Sequence, residues 1–208
     1  MSVTHGAVCD LHSAAYGTVY SRIGGSMNGH ERQREQSKQM IETALFKLME
    51  KKEFSQITVS ELALQADVAR RTFYRLYESR EDVLQEFFRK LCESYKSTYK
   101  PLKGYEITQV AKDYFGFWYQ YREVLLRMHK SGLDEMLYYE ISKASLSVVR
   151  NRVSDEAMKD SPEITYFAMY SVGGFINLLR HWIVGGMKEK PEEYAAKVSA
   201  ALEKVMGR

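Results

Sequence analysis

"ADVARRTFYRLYESREDVL", residues 66–84, decides how this chain is to be read. Three arginines, Arg70, Arg71 and Arg75, stand among Phe73, Tyr74, Leu76 and Tyr77, and no acid separates them. Surface helices mix their charges and core helices avoid them, so neither ordinary pattern fits. Wound at about 100° per residue, a helix over 69–77 gathers Arg70, Arg71, Tyr74 and Arg75 on one arc. Ala69, Phe73, Leu76 and Tyr77 share the opposite arc, with Thr72 at its edge. The segment has an apolar back and a cationic, hydrogen-bonding front.

The flanks give that helix a setting. Upstream, "TVSE" places Glu61 three residues after Thr58, a capping box that starts a helix. Val59, Leu62 and Ala63 give this helix one apolar stripe, ending near Ala66. Downstream, "ESRED" offers Ser79 as N-cap and Asp82 at the third helical position, so a fourth helix runs from about Arg80 to Tyr99. A capped helix, a three- or four-residue turn and a short helix with a polar front is the helix-turn-helix layout. Arginine suits the front because its fork grips guanine edges or phosphates with two bonds. A tyrosine hydroxyl reaches a phosphate oxygen. Thr58 and Arg80 stand at helix starts, where free N–H groups and the dipole favour an anion. Arg32, Arg34 and Lys38 precede them on a helix that can hold the flanking backbone. The competing reading is a solvated basic face on a helical hairpin; the ordered succession of cap, turn, amphipathic helix and second cap weighs against it.

Composition bounds the rest. The 208 residues allow one large domain or two small ones, and 45% hydrophobic with 27% charged residues supports a packed core. Only 3 prolines occur, which favours long helices. The formal net charge is +3, too small to indicate nucleic acid by itself, so the case for DNA is local. Cys9 and Cys92 lack metal or CxxC spacing and suggest a reducing compartment or an incidental pair, against a disulfide framework. No apolar run approaches the roughly 18 residues of a membrane span. Asp10, His12 and Arg22 interrupt any signal-peptide core. A cytoplasmic protein without membrane association is expected.

Residues 1–30, ending in "SRIGGSMNGH", are rich in Gly, Ser, Thr and His and read as a disordered extension, with Met27 an alternative start. From Glu31 the pattern turns helical, with Ile41, Ala44, Leu45 and Leu48 defining a first helix through about Lys51. "FSQI" is a short connection. After a break at "KPLKGY", residues 106–129, 133–153, 162–184 and 191–206 are periodic. The expected fold is all-α, with a three-helix unit over 31–80 and a larger helical unit over 81–208.

"ITVSELALQADVARRTFYRLYESREDVL", residues 57–84, resembles the DNA-binding signature of the TetR/AcrR family of transcriptional regulators. The resemblance is carried by Thr58, Leu62-Ala63, Val68, Thr72-Phe73-Tyr74, Tyr77, Arg80 and Val83-Leu84, and covers roughly residues 31–90. "GGFINLLRHWIVGGMKEKPEEY", residues 173–194, resembles one C-terminal subtype. The resemblance implies DNA contacts at Thr58, Arg70, Arg71, Thr72, Tyr74 and Arg80, and packing roles for Phe73 and Tyr77. Arg75 and Lys38 join the DNA-facing set from their positions alone. Three departures stand out. Asp67 occupies a turn position that commonly carries Gly, and Asp tolerates positive φ better than most residues. Ala69 replaces a frequent Ser cap, at a cost of about 1 kcal/mol. Leu76 stands where a His often approaches the DNA backbone.

The family usually couples DNA release to a small molecule bound among its C-terminal helices. Tyr114, Trp118, Tyr121, Tyr166 and Tyr170 recur at helical spacing and are candidates for a pocket taking a small apolar or aromatic effector; the competing reading is that they fill the core, as helix-spaced aromatics usually do. Gly173 and Gly174, inside an apolar helix, suit a close helix approach. With Trp182, Val198 and Leu202 they are candidates for a dimer interface, against packing inside one subunit. A homodimer would read a palindromic operator whose half-sites lie about 34 Å apart. The expected function is a repressor that an effector releases from double-stranded DNA. Control by a protein partner is the alternative, and a DNA binder without an effector is a further variant. The five histidines lack HExxH or similar spacing, no acidic pair or phosphate loop is evident, and no enzymatic, metal or cofactor role is expected.

Overall fold

The computed structural model describes residues 28–98, 106–153, 156–159 and 161–206, and contains no strand among them. They form two compact units that divide between Leu91 and Cys92. Residues 1–27, most of the expected extension, and the "KPLKGY" break lie outside the described residues.

The first unit opens with α1, Gly29–Met49. It starts two residues before Glu31, where the sequence pattern turns helical, because Asn28 caps it. The Asn28 side chain accepts from the Glu31 N–H at 2.9 Å, and the Glu31 carboxylate accepts from the Asn28 N–H at 3.1 Å. A single 3-10 turn, Phe54–Gln56, leads to α2, Val59–Gln65. Thr58 caps α2 as expected, accepting from the Glu61 N–H at 3.2 Å. The reciprocal arm of the box is absent, since the Glu61 carboxylate accepts from Lys52 instead, at 2.5 Å. The turn after α2 survives the loss of glycine. Asp67 sits at φ 52°, its N–H reaches Leu64 O at 3.1 Å, and the Val68 N–H reaches Ala63 O at 3.0 Å. These two bonds make a Schellman motif. Then come α3, Arg70–Leu76, and α4, Arg80–Thr98, which runs across the division between the units. Ser79 and Asp82 form the expected box at its start.

Ile41, Leu45, Leu62, Phe73, Leu84 and Phe88 are fully buried, one or two from each helix of this unit. The Phe46 and Phe87 rings meet edge-on at 4.7 Å, joining α1 to α4. Burial of this kind stabilises by roughly 1.5–3 kcal/mol per large side chain, and it fixes α3, which has only seven residues and could not persist alone.

The second unit contains α5 (Ile107–Tyr119), α6 (Arg122–Lys130), α7 (Asp134–Arg152), α8 (Glu156–Lys159), α9 (Pro162–Val184) and α10 (Pro191–Met206). The period over 106–129 predicts one helix, but the chain turns at Gln120 and Tyr121, and Tyr121 is buried at that turn. The one-turn α8 carries no signal in the sequence. Helix α10 packs on α5, and α9 on α7. Between α5, α9 and α10 the Trp182 ring stacks on Tyr194 at 4.9 Å and 4°, while Phe115 meets Tyr194 edge-on at 4.8 Å. Gly186, at φ 83°, turns the chain after α9, and Arg122 donates to the carbonyls of Gly186 and Met187 at 2.9 and 3.2 Å.

Candidate nucleic-acid interface

Helix α3 is anchored by its apolar back. Phe73 is fully buried and its ring lies 5.9 Å from that of Tyr77, which ends the helix and is also buried. Opposite that back, Arg70, Arg71 and Arg75 are exposed, as is Tyr74 at 52%. None of the three guanidiniums makes a hydrogen bond or ion pair among the described residues. Three unneutralised positive charges on two turns repel one another, and an external anion relieves that repulsion. Thr72 and Leu76 are half-buried at the edges. Ala69 differs from the arc drawn from sequence: it is exposed and serves as N-cap without a side-chain bond. Thr58, exposed at the start of α2, accepts as a cap through Oγ1 while its O–H can still donate.

Two expected contributors sit elsewhere. Arg80 is folded against the loop before α2. Its guanidinium donates to the carbonyls of Ser55 and Ile57, pairs with Glu81 at 3.1 Å and lies 4.7 Å over the Phe54 ring. It braces the peptide next to Thr58. Lys38 has a side chain only 14% exposed; it bonds Glu86 at 3.0 Å and lies 5.5 Å over the Tyr77 ring. The side chains brought together on one open face are therefore Arg70, Arg71, Tyr74 and Arg75.

Beneath this face lies a polar network that the sequence reading missed. Glu42 is fully buried on α1. Its carboxylate accepts from the Tyr77 hydroxyl at 3.3 Å and from the Lys90 ammonium at 2.8 Å. Lys90 also donates to Glu35 at 2.9 Å. Burial and the neighbouring carboxylates, Glu42 first, push the Tyr77 phenol far above its ordinary range, so it stays a donor. Burial opposes the charge of Glu86, but hydrogen bonds from Arg89 and Lys38 prevail and hold its carboxyl down at about 2. The available signal was an acid at 42, flanked by Ile41, Ala44 and Leu45.

In the second unit the expected pocket residues separate. Tyr114, Trp118 and Tyr121 are buried on or just after α5, and Tyr95 stacks on Trp118 at 6.3 Å. Tyr114 Oη and Trp118 Nε1 are buried and, among the described residues, have no hydrogen-bond partner beyond each other. Burial pushes the Tyr114 phenol well up, so it remains protonated. Tyr166 and Tyr170, by contrast, are 74% and 77% exposed on α9. The expected interface residues separate as well. Gly173 and Gly174 face open space, where a methyl group on either would meet nothing within 4 Å. Leu202 is half-buried, whereas Trp182 and Val198 lie inside the unit's own core. Among the described residues no group of three His, Cys, Asp or Glu could hold a metal, and no helix is long and apolar enough to cross a membrane.

Comparison with known proteins agrees with this geometry. Residues 41–87 match the family model described as "Bacterial regulatory proteins, tetR family". Residues 105–204 match that described as "Transcriptional regulator C-terminal region". None of the curated proteins matches the chain. Among solved structures, the "Dihydroxyacetone kinase operon activator DhaS" is similar in fold, with a TM-score of 0.57 at 16% identity over 81% of this chain and 97% of that one. The TetR family repressor AlkX from Dietzia sp. aligns over 88% of this chain and 98% of its own at 16% identity, with a TM-score of 0.43, too low to bear on the argument. With both of its units matched, the chain belongs to the TetR family of DNA-binding transcriptional regulators.

Proposed function

We propose that the chain is a cytoplasmic homodimeric repressor that reads a palindromic operator through α3 and is released by a small uncharged effector. The observation that carries this reading is the front of α3, where Arg70, Arg71 and Arg75 are exposed and unpaired among the described residues, on a helix anchored by the buried Phe73 and Tyr77. Arg70, Arg71 and Tyr74 are the proposed base-reading and phosphate-contacting side chains, and Thr58, Thr72 and Arg75 flank them. Arg80 and Lys38 act by holding the framework. The operator would be palindromic because one seven-residue helix reaches few base pairs, and a two-fold pair reads two half-sites. The second copy is proposed to seat on α9, where Tyr166, Met169, Tyr170, Gly174 and Val184 form an exposed row. The effector is assigned to the α5 region, where the buried Tyr114 hydroxyl and Trp118 N–H find no partner beyond each other among the described residues and lie among aromatic rings.

The test is selection from a random-sequence duplex library with the purified protein, in parallel with Arg70→Ala/Tyr74→Phe. Enrichment of a palindrome that the double variant loses supports the reading; no enrichment from a folded protein overturns it. A second reading, control by a protein partner, draws on the same exposed Tyr166 and Tyr170. Saturable melting-temperature shifts by small uncharged compounds would count against it.

A further inference from the structure

The buried carboxylate beneath α3 is the feature that the reading above leaves unexplained. A charged group inside a core is expensive, and an apolar side chain of similar size usually serves stability as well or better. Glu42 is nonetheless fully buried, and it is paired with Lys90, itself only 6% exposed. Its second partner is the hydroxyl of the residue that ends α3. The Tyr77 ring is held from another side by the Lys38 ammonium, which α4 in turn holds through Glu86. Two chains of bonds thus cross from α1 to α4, Glu42 to Lys90 and Lys38 to Glu86, and Tyr77 touches both. Hydrophobic contact alone is non-directional. A phenol bonded to a fixed carboxylate resists rotation of the helix end, because turning it would leave a buried acceptor poorly satisfied.

We infer that Glu42, with Lys90 and the Tyr77 hydroxyl, is a positioning device that fixes the rotation of α3 about its axis, and so sets operator specificity without touching DNA. The inference rests on the DNA-reading role of α3. It has a consequence that a purely stabilising network lacks. Contacts to phosphates tolerate small rotations, because several arginines reach a continuous row of charge; contacts to base edges do not. Loosening α3 therefore lowers specific binding and spares non-specific binding.

The experiment compares wild type with Tyr77→Phe, which removes one oxygen atom, and with Glu42→Gln/Lys90→Met, which removes both charges together. The probes are the duplex enriched by the wild-type protein and poly(dI-dC), measured by anisotropy at fixed salt, with amide hydrogen exchange of residues 70–77 alongside. We expect Tyr77→Phe to bind the enriched duplex about tenfold more weakly, to bind poly(dI-dC) within twofold of wild type, and to exchange faster in α3 while α1 is unchanged. The charge-free double variant should lose the same ratio. Equal affinities for both probes with unchanged exchange in α3 would overturn the inference, as would parallel loss on both probes. If Arg70→Ala binds the enriched duplex as tightly as wild type does, the DNA-reading role itself fails. A failure confined to the Tyr77 and Glu42 variants leaves that role standing.

Discussion

Arg70, Arg71 and Arg75 could be read from the sequence because their number, spacing and lack of acids fix both where they point and that they lack local neutralisation. Arg80 and Lys38 could not. A sequence pattern shows a charge but not its acceptor, and the acceptors of Arg80 include two backbone carbonyls at Ser55 and Ile57 that no residue type announces. The two groups should respond oppositely to alanine. Arg70→Ala should leave stability within about 0.5 kcal/mol, as at exposed positions generally, and weaken operator binding by about 1–3 kcal/mol. Arg80→Ala should lower the urea midpoint, because carbonyls near the start of α2 lose their donor. Anisotropy and urea titration on both variants check this pairing; a destabilised Arg70→Ala would show that its side chain has a structural partner. Ala69 offers a gain. As an N-cap in extended conformation with no side-chain bond, Ala69→Ser should add about 1 kcal/mol to stability, read as a higher urea midpoint.

The helices of the first unit were legible where capping chemistry and apolar period agreed. Thr58, Ser79 and Asp82 marked the starts of α2 and α4 within a residue. The start of α1 was not legible, since Asn28 stands among glycines and serines that suggest disorder, although Asn is a strong cap. In the second unit the turn between α5 and α6 has no Gly or Pro to announce it, and burial of Tyr121 outweighs continuity of the helix. Pairing between helices was least legible of all, because Lys38 and Glu86 lie far apart in sequence. Their bond makes an acid-sensitive joint between α1 and α4. The Glu86 carboxyl is held below its ordinary 4.5 at about 2, so the unfolded chain takes up its proton first as pH falls. The stability it contributes is full above about pH 4.5 and is lost between there and pH 2, and amounts to about 2 kcal/mol once screening of a half-buried group is allowed for. Melting temperatures followed from pH 6 to 2.5 should fall more steeply for wild type than for Glu86→Gln. Parallel curves would remove Glu86 from this role.

Dimer formation adds what a single chain cannot show. Gly173 and Gly174 cost α9 helical stability, about 1 kcal/mol each, and among the described residues a methyl group on either would meet nothing within 4 Å. A second copy, proposed to seat there, would account for that cost. Gly174→Ala then separates the two effects. The isolated chain should gain about 1 kcal/mol, while the dimer should dissociate about tenfold more readily in sedimentation equilibrium. A dimer that is unchanged or tighter would move the interface off this face. A two-fold pair of α3 helices also has a direct signature on DNA, which a hydroxyl-radical footprint of the wild-type protein on its enriched duplex records. The account predicts two protected patches on each strand, centred about one helical turn, roughly 34 Å, apart or a multiple of it, and both lost together in Arg70→Ala/Tyr74→Phe. A single patch, or protection that persists in the double variant, would contradict it.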